Sequence, residues 1–260
     1  MRDPGRSLTE YRISGWNRPA PSAEIARCVI LIQVMLQPEE KMFLLGIDTC
    51  GPSGSVALGR LSGAHVPEIL GQTTLEGRTY SATLVAAVEE LLAGRGMRLP
   101  DIGCLVVVNG PGSFTGVRVG LSVAKGLAEG AGIPIVAVSR LEVLARKAGV
   151  PFAALDAHRH EVFLRLAEPE GRETLSGVEE LARIAAPSEI AICDDAAAEL
   201  LQGAWPTAVM LRAEAPTASD ALVVAAARIA AGDFDDAALL DGHYLRRSDA
   251  EIFGNTVVKS

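Results

Sequence analysis

The sequence predicts two similar α/β lobes, residues 42–148 and 149–260, that meet near Gly149. Three observations carry this expectation. Each half opens on an apolar strand that ends in Asp, at Asp48 and at Asp156, and runs on into a hairpin partner. Helical patterns alternate with strands after each opening, as in a sheet covered by helices. In the first half, strand and helix are joined by the glycine-rich turn Asn109-Gly110-Pro111-Gly112-Ser113-Phe114-Thr115-Gly116. The halves share no sequence repeat; only the order of elements recurs.

Phe43 to Ile47 reads as a buried strand, and Gly51-Pro52-Ser53-Gly54 turns it into a second strand over Ser55 to Gly59. A weaker third strand covers about Glu68 to Leu75. Leu84, Val88 and Leu91, at helical spacing, predict a helix from about Thr79 to Ala93, ended by Gly94 and Gly96. Leu105 to Val108 is a strand, a helix runs from Thr115 to about Glu129, and Ile135 to Val138 is the next strand. A helix near Leu141 to Ala148 closes the half. The second half offers strands at Pro151 to Leu155 and Glu161 to Leu166, then a helix at Val178 to Ile184. A strand at Glu189 to Cys193 and an Ala-rich helix at Ser219 to Ala231 follow.

Composition narrows the function classes. With 260 residues, 49% of them hydrophobic, the chain can bury a sizeable core; at 4% aromatic content, Ala, Val and Leu must fill it. A net charge of −8 argues against a free-standing nucleic-acid binder, which needs a basic footprint. Cys28, Cys50, Cys104 and Cys193 are scattered with no C-x-x-C pair, which suits reduced thiols better than a disulfide framework or a zinc site. No stretch approaches the ~20 apolar residues that cross a bilayer. Residues 1–41 differ from the rest, with Arg2, Arg6, Arg12, Arg18 and Arg27 and no clean period. They read as a poorly ordered extension, set by an early start codon, with Met42 as the natural beginning of the fold.

The glycine turn presents backbone N–H groups and the positive end of a helix dipole, so it is a candidate anion site. Two common anion motifs fail on spacing. A P-loop needs four residues between its glycines and then Lys-Ser/Thr, whereas three separate Gly112 from Gly116 and Val117-Arg118 follows. The dinucleotide fingerprint has Gly110-x-Gly112, but its third glycine comes one residue late, and Pro111 supplies no N–H. Ser139-Arg140, after the next strand, offers a grip for a 2′-phosphate and keeps an NADP-linked reading open. Close packing of helix on strand explains the same glycines without any ligand.

Taken together, these residues resemble the TsaB (YeaZ) family, the bacterial partner of tRNA threonylcarbamoyladenosine synthesis. The resemblance runs from Met42 to about Phe253. It rests on Gly46-Ile47-Asp48-Thr49 with Ser55-Val56-Ala57-Leu58, and on Gly110 to Arg118. Leu155-Asp156-Ala157 with Glu161-Val162-Phe163, and Tyr244-Leu245-Arg246 before Ala250-Glu251, complete it. It implies an actin-like (ASKHA, sugar-kinase-like) fold of two ββ(β)αβα lobes. It also implies a non-catalytic subunit that docks to and orders TsaD, in a complex completed by the ATPase TsaE. That complex transfers threonylcarbamoyl to the adenosine next to the anticodon in tRNAs reading ANN codons. Expected assemblies are a heterodimer with TsaD, or a homodimer through the same helices, in the cytoplasm and off the membrane. Contact with tRNA is expected only within the complex. The chain itself needs no cofactor; ATP, ADP and metal belong to its partners, and weak nucleotide binding stays open.

The residues agree with a helper. TsaD-type metal binding needs H-x-x-x-H on one helix face, and no two of His65, His158, His160 and His243 are four apart. His158-x-His160 lacks a third ligand. A nucleophile elbow, G-x-S-x-G, is absent, since the Ser of Gly112-Ser113-Phe114-Thr115-Gly116 stands second. By analogy with actin-like ATPases, Asp48, Thr49, Gly110, Gly112, Ser113, Thr115, Gly116 and Asp156 are the candidate nucleotide or anion residues. Asp at a strand end is equally a turn former. The expected partner face comprises Tyr80, Ser81, Leu84, Val88, Val117, Gly120, Leu121, Ala124 and Ala128. Tyr80-Ser81-Ala82 stands where relatives commonly carry His-Ser or His-Thr. The competing class is a stand-alone enzyme, ATP-hydrolysing or NADP-linked, that uses the Gly110–Gly116 turn.

Overall fold

In the computed structural model the described residues are 41–63, 66–76, 80–167 and 171–246. The expected extension lies outside them up to Glu40, as do Cys28, His65, Thr79, Ala250, Glu251 and Phe253. From Lys41 onward the chain is one compact unit.

The first sheet contains β1 (Lys41–Asp48), β2 (Gly54–Ser62), β3 (Glu68–Leu75), β4 (Cys104–Val108) and β5 (Ile135–Val138), in the order β3-β2-β1-β4-β5. Its helices are α1 (Tyr80–Ala93), α2 (Phe114–Ala131) and α3 (Arg140–Ala148). The second sheet contains β6 (Ala153–Asp156), β7 (Glu161–Arg165), β8 (Glu173–Gly177), β9 (Glu189–Ile192) and β10 (Val209–Arg212), in the order β10-β9-β6-β7-β8. Its helices are α4 (Val178–Leu181), α5 (Asp195–Ala204) and α6 (Ala218–Ala230). Each sheet starts with an antiparallel three-strand meander and adds two parallel strands beyond the opening strand. Each half is thus the same βββαβαβα unit, one strand and one helix longer than the expected ββ(β)αβα, in the two-lobed actin-like arrangement.

Local chemistry explains the element ends. Ser113 caps α2 by accepting from Gly116 N–H, and the helix stops at Gly132 in the left-handed region. Ser139 and Gly149 bracket α3 in the same way. Asp194 caps α5 through Ala197 N–H, and Thr217 with Asp220 forms a capping box on α6.

Packing departs from chain order at two helices. α3 precedes residue 149, yet it lays Leu141, Leu144 and Ala145 against Ala153, Leu155 and Phe163 of the second sheet. α6 comes from the second half, yet it buries Ala218, Ala221, Leu222, Ala225, Ala226 and Ile229 in the core of the first. The lobes expected as 42–148 and 149–260 therefore exchange their last helices. Side chains alternate across a strand, so Gly46 and Ile47 face opposite ways. A Cβ on Gly46 would meet the Ala218 carbonyl at 2.9 Å, while Ile47 lies under Gly120 of α2. The first sheet is accordingly sandwiched, with α6 on one face and α2 on the other. A strap after α6 covers the outer edge of β5: Asp235 N–H donates to Ile135 O, and Asp235 accepts from Ala137 N–H. An edge closed in this way offers no free ladder to another chain.

Substituting Gly46→Val should wedge α6 off β1 and cost roughly 1–3 kcal/mol or more. Gly126→Ala, on an exposed turn of α2 with nothing within 4 Å, should instead add about 0.5–1 kcal/mol by removing helix-interior glycine. Urea denaturation of both variants checks the pair of signs.

Candidate functional site

A cleft of about 1140 Å³ opens between the lobes. One wall is the β1–β2 loop and the start of α2; the other is the β6–β7 loop with Asp156, His158 and Arg159, and the strap residues His243 to Arg246 form its rim. The cleft therefore gathers the two Asp-ended openings, the glycine turn and the Tyr244-Leu245-Arg246 motif, which lie far apart in the chain.

On the first wall the glycine turn is consumed by packing. A Cβ on Gly112 would strike the Cys50 carbonyl, one on Gly116 the Thr49 carbonyl, and one on Gly120 the Thr49 hydroxyl. Ser113 N–H donates to Cys50 O at 2.8 Å, and Thr49 Oγ1 donates to Gly116 O at 2.7 Å. Gly110 holds φ at 114°, which a side chain would resist. The turn thus locks the β1–β2 loop onto α2, and carbonyl oxygens rather than free N–H groups face it. Ser113 and Thr115 stay exposed beside the cleft.

Asp48 lies beneath this loop, 1% exposed, and accepts the Cys50 N–H at 2.8 Å. Arg140 Nε is 3.9 Å from its Oδ2. Burial pushes the Asp48 carboxyl above its ordinary value, and the Arg140 charge opposes that rise. Tyr80, 7% exposed, donates its hydroxyl to Gly51 O and so pins the loop from α1. Its place in this chain is internal.

On the second wall Asp156 is spent locally. Its Oδ1 accepts His158 N–H, its Oδ2 pairs with His158 Nδ1 at 2.8 Å, and its own N–H is held by Asp194. His158, Arg159 and His160 all adopt positive φ, so the two histidines sit in a left-handed turn and do not share the strand face their spacing suggests. Among the described residues no three His, Cys, Asp or Glu converge on one point.

Several tying residues escape sequence reading. Glu173 of β8, almost wholly buried, accepts Ser139 Oγ–H, pairs with Arg165 at 2.9 Å and meets His243 Nε2 at 2.9 Å. Ser139 is thereby committed to Glu173 and to capping α3, which leaves Arg140 alone of that pair facing the cleft. Phe114 stacks near Tyr244 at 5.1 Å, with the Arg118 guanidinium 3.9 Å over its ring. Arg246 pairs with Glu161. The Tyr244-Leu245-Arg246 motif signals this closure of the rim.

The expected partner face needs correction. Tyr80, Leu84, Val88, Val117, Gly120, Leu121, Ala124 and Ala128 are buried against their own sheet, with Leu84 and Ala124 at 0% exposure. Only Ser81 of that set is exposed. The larger apolar residues of an α/β lobe helix turn inward, so the stripe with the clearest period belongs to the core. The outward face carries Ala82, Val85 and Ala86 on α1, and Phe114, Arg118 and Ser122 on α2, with Val119 and Val123 half-buried between.

The thiols follow burial. Cys50 is raised well above its ordinary range and Cys104 is pushed up to about 12, both chiefly by desolvation; Cys193 is raised less and is half-exposed at the cleft. Alkylation of the native chain followed by peptide mass mapping should label Cys193 well before Cys50 or Cys104.

A family described as "TsaD: tRNA N6-adenosine threonylcarbamoyltransferase" matches residues 68–200, half of the chain. The tRNA threonylcarbamoyladenosine biosynthesis protein TsaB of Haemophilus influenzae is 37% identical over 131 residues, 48% of this chain and 53% of that protein. Its Escherichia coli counterpart is 39% identical over 131 residues, 47% and 53% of the two chains. The match thus spans about half the length of these curated relatives. The crystal structure of YeaZ from Pseudomonas aeruginosa superposes with a TM-score of 0.61 at 27% identity, over 78% of this chain and 100% of that one. With half its length matching the TsaD family, and with these relatives and this fold, the chain belongs to the TsaB/YeaZ family within it.

Proposed function

We propose that the chain is the non-catalytic subunit of threonylcarbamoyladenosine synthesis on tRNA, acting by docking to TsaD and ordering it. The observation that carries this reading is the outward face of α1 and α2, built of small and apolar residues. Ala82, Ala86 and Ser122 allow backbones to approach, while Val85 at 43% and Phe114 at 40% exposure supply apolar area. Two adjacent helices with such a face suit a four-helix contact with an equivalent pair on TsaD, or on a second copy of this chain. TsaE and tRNA join as further members of that assembly, and the activity belongs to the whole.

The candidate catalytic side chains support a helper. Asp156 is held by His158 and Asp194, and the glycine turn is filled by the carbonyls of Thr49 and Cys50. A hydrolase acting alone would want these groups turned toward substrate. No helix among the described residues is long and apolar enough to cross a membrane.

Transfer of threonylcarbamoyl to tRNA, reconstituted from TsaD, TsaE, ATP and threonylcarbamoyl-adenylate, should require this chain and should not occur with the chain alone. Unchanged transfer on omission would leave only a likeness of fold, and steady ATP turnover by the purified chain would favour the enzyme reading. At the surface, Val85→Arg should abolish co-elution with TsaD while leaving the melting temperature within a few degrees, because the charge is unpaired only in the complex. Ala124→Arg should unfold the chain, since the same charge would enter its own core at a cost of several kcal/mol.

A further inference from the structure

We propose that Arg140 anchors an oxyanion site on the floor of the interlobe cleft, taking the carboxylate or phosphate group of a small molecule. The motivating observation is a buried cation without adequate partners. The Arg140 side chain is 8% exposed and lines the cleft, yet its buried Nε has no hydrogen-bond partner. Asp48, the acid it pairs with among the described residues, stands at 3.9 Å, beyond hydrogen-bond range, and spends its Oδ1 on the Cys50 N–H. A guanidinium offers five N–H donors in a planar fork. Buried polar groups in folded proteins are nearly always satisfied, so an underpaired guanidinium that lines a cleft is suited to hold an oxyanion there.

The surroundings define the acceptor. Carbonyls of Thr49 and Cys50 fill the glycine turn, and Asp156 and Asp194 line the opposite wall. A polyphosphate chain would meet those carboxylates with few backbone donors to offset the repulsion. A compact ion with one or two charges, gripped two-pronged by Arg140, avoids this. Ser139 contributes nothing to the grip, because its hydroxyl is held by Glu173. The proposal needs no partner protein and stands or falls separately from the docking function.

The test is titration of the full chain, with ¹⁵N-labelled arginine, by sodium acetate and by inorganic phosphate at constant ionic strength, with chloride as control. Either anion should shift the Arg140 side-chain N–H signals saturably. Acetate acting alone would indicate a carboxylate ligand, phosphate alone a phosphate headgroup, and both the shared oxyanion chemistry. In the Asp48→Asn/Arg140→Gln double variant, which leaves no unpaired buried charge, affinity read by titration calorimetry on both chains should fall about ten- to a hundredfold, as expected for one charged hydrogen-bonding contact. Shifts no larger than those with chloride, or equal affinity in the folded double variant, would overturn the proposal.

Discussion

The exchange of the last helices between lobes is the constraint on which the rest depends. α6 lies across the first sheet because Gly46 and Gly59 remove the side chains that would hold it off; a Cβ on Gly59 would sit 2.8 Å from Leu222. Ser55 then accepts the first α6 amide, Ala218 N–H, at 2.8 Å. α3 makes the reciprocal crossing to the second sheet. Two lobes interlocked in this way place β1 and β6, with their terminal Asp residues, on facing walls of one cleft. Independent lobes joined by a linker would not hold that geometry, since interfaces without such crossing favour relative motion.

The second consequence concerns where donors and acceptors point. The glycine turn looks like an anion cradle in sequence but acts as a seam, in which helix α2 presses onto the β1–β2 loop. Close approach turns the carbonyls of Thr49 and Cys50 toward the turn, and Tyr80 tightens the loop from α1. The positive charge of the cleft comes instead from α3, through Arg140, and the loop that covers Asp48 is what leaves that guanidinium underpaired. Packing and electrostatics of the cleft are therefore one arrangement, set by how closely α2 approaches the first sheet and by the crossing of α3 to the second.

Much of the fold was legible. Strands β1 to β7 and β9 and helices α1 to α4 and α6 lie within a few residues of their expected places, because burial imposes a clear pattern on them. β8, α5 and β10 were not read. Glu173–Gly177 is largely polar, and its buried Glu173 carboxylate is satisfied by Ser139, Arg165 and His243, so no apolar alternation marks the strand. Val209–Arg212 is a short edge strand exposed at both ends. The α5 helix does carry a local signal, the Asp194 cap before an Ala- and Leu-rich run. At the site, Asp48, Asp156 and the glycine turn were legible as strand-end and turn residues, but their partners were not.

Sequence alone determined the two-lobed repeat, the family resemblance and the pair of helices that carries the proposed contact. Periodicity is a local property, and the glycine run and strand-end Asp residues are local too. Tertiary structure decided which face of those helices is free, because a buried stripe and a docking stripe have the same period and differ only in what covers them. It also decided the exchange of α3 and α6 and the meeting of Arg140 with Asp48. The α6 packing and the Arg140–Asp48 pair depend on contacts between residues some ninety or more positions apart, and α3 turns to one sheet rather than the other for reasons its own period does not carry.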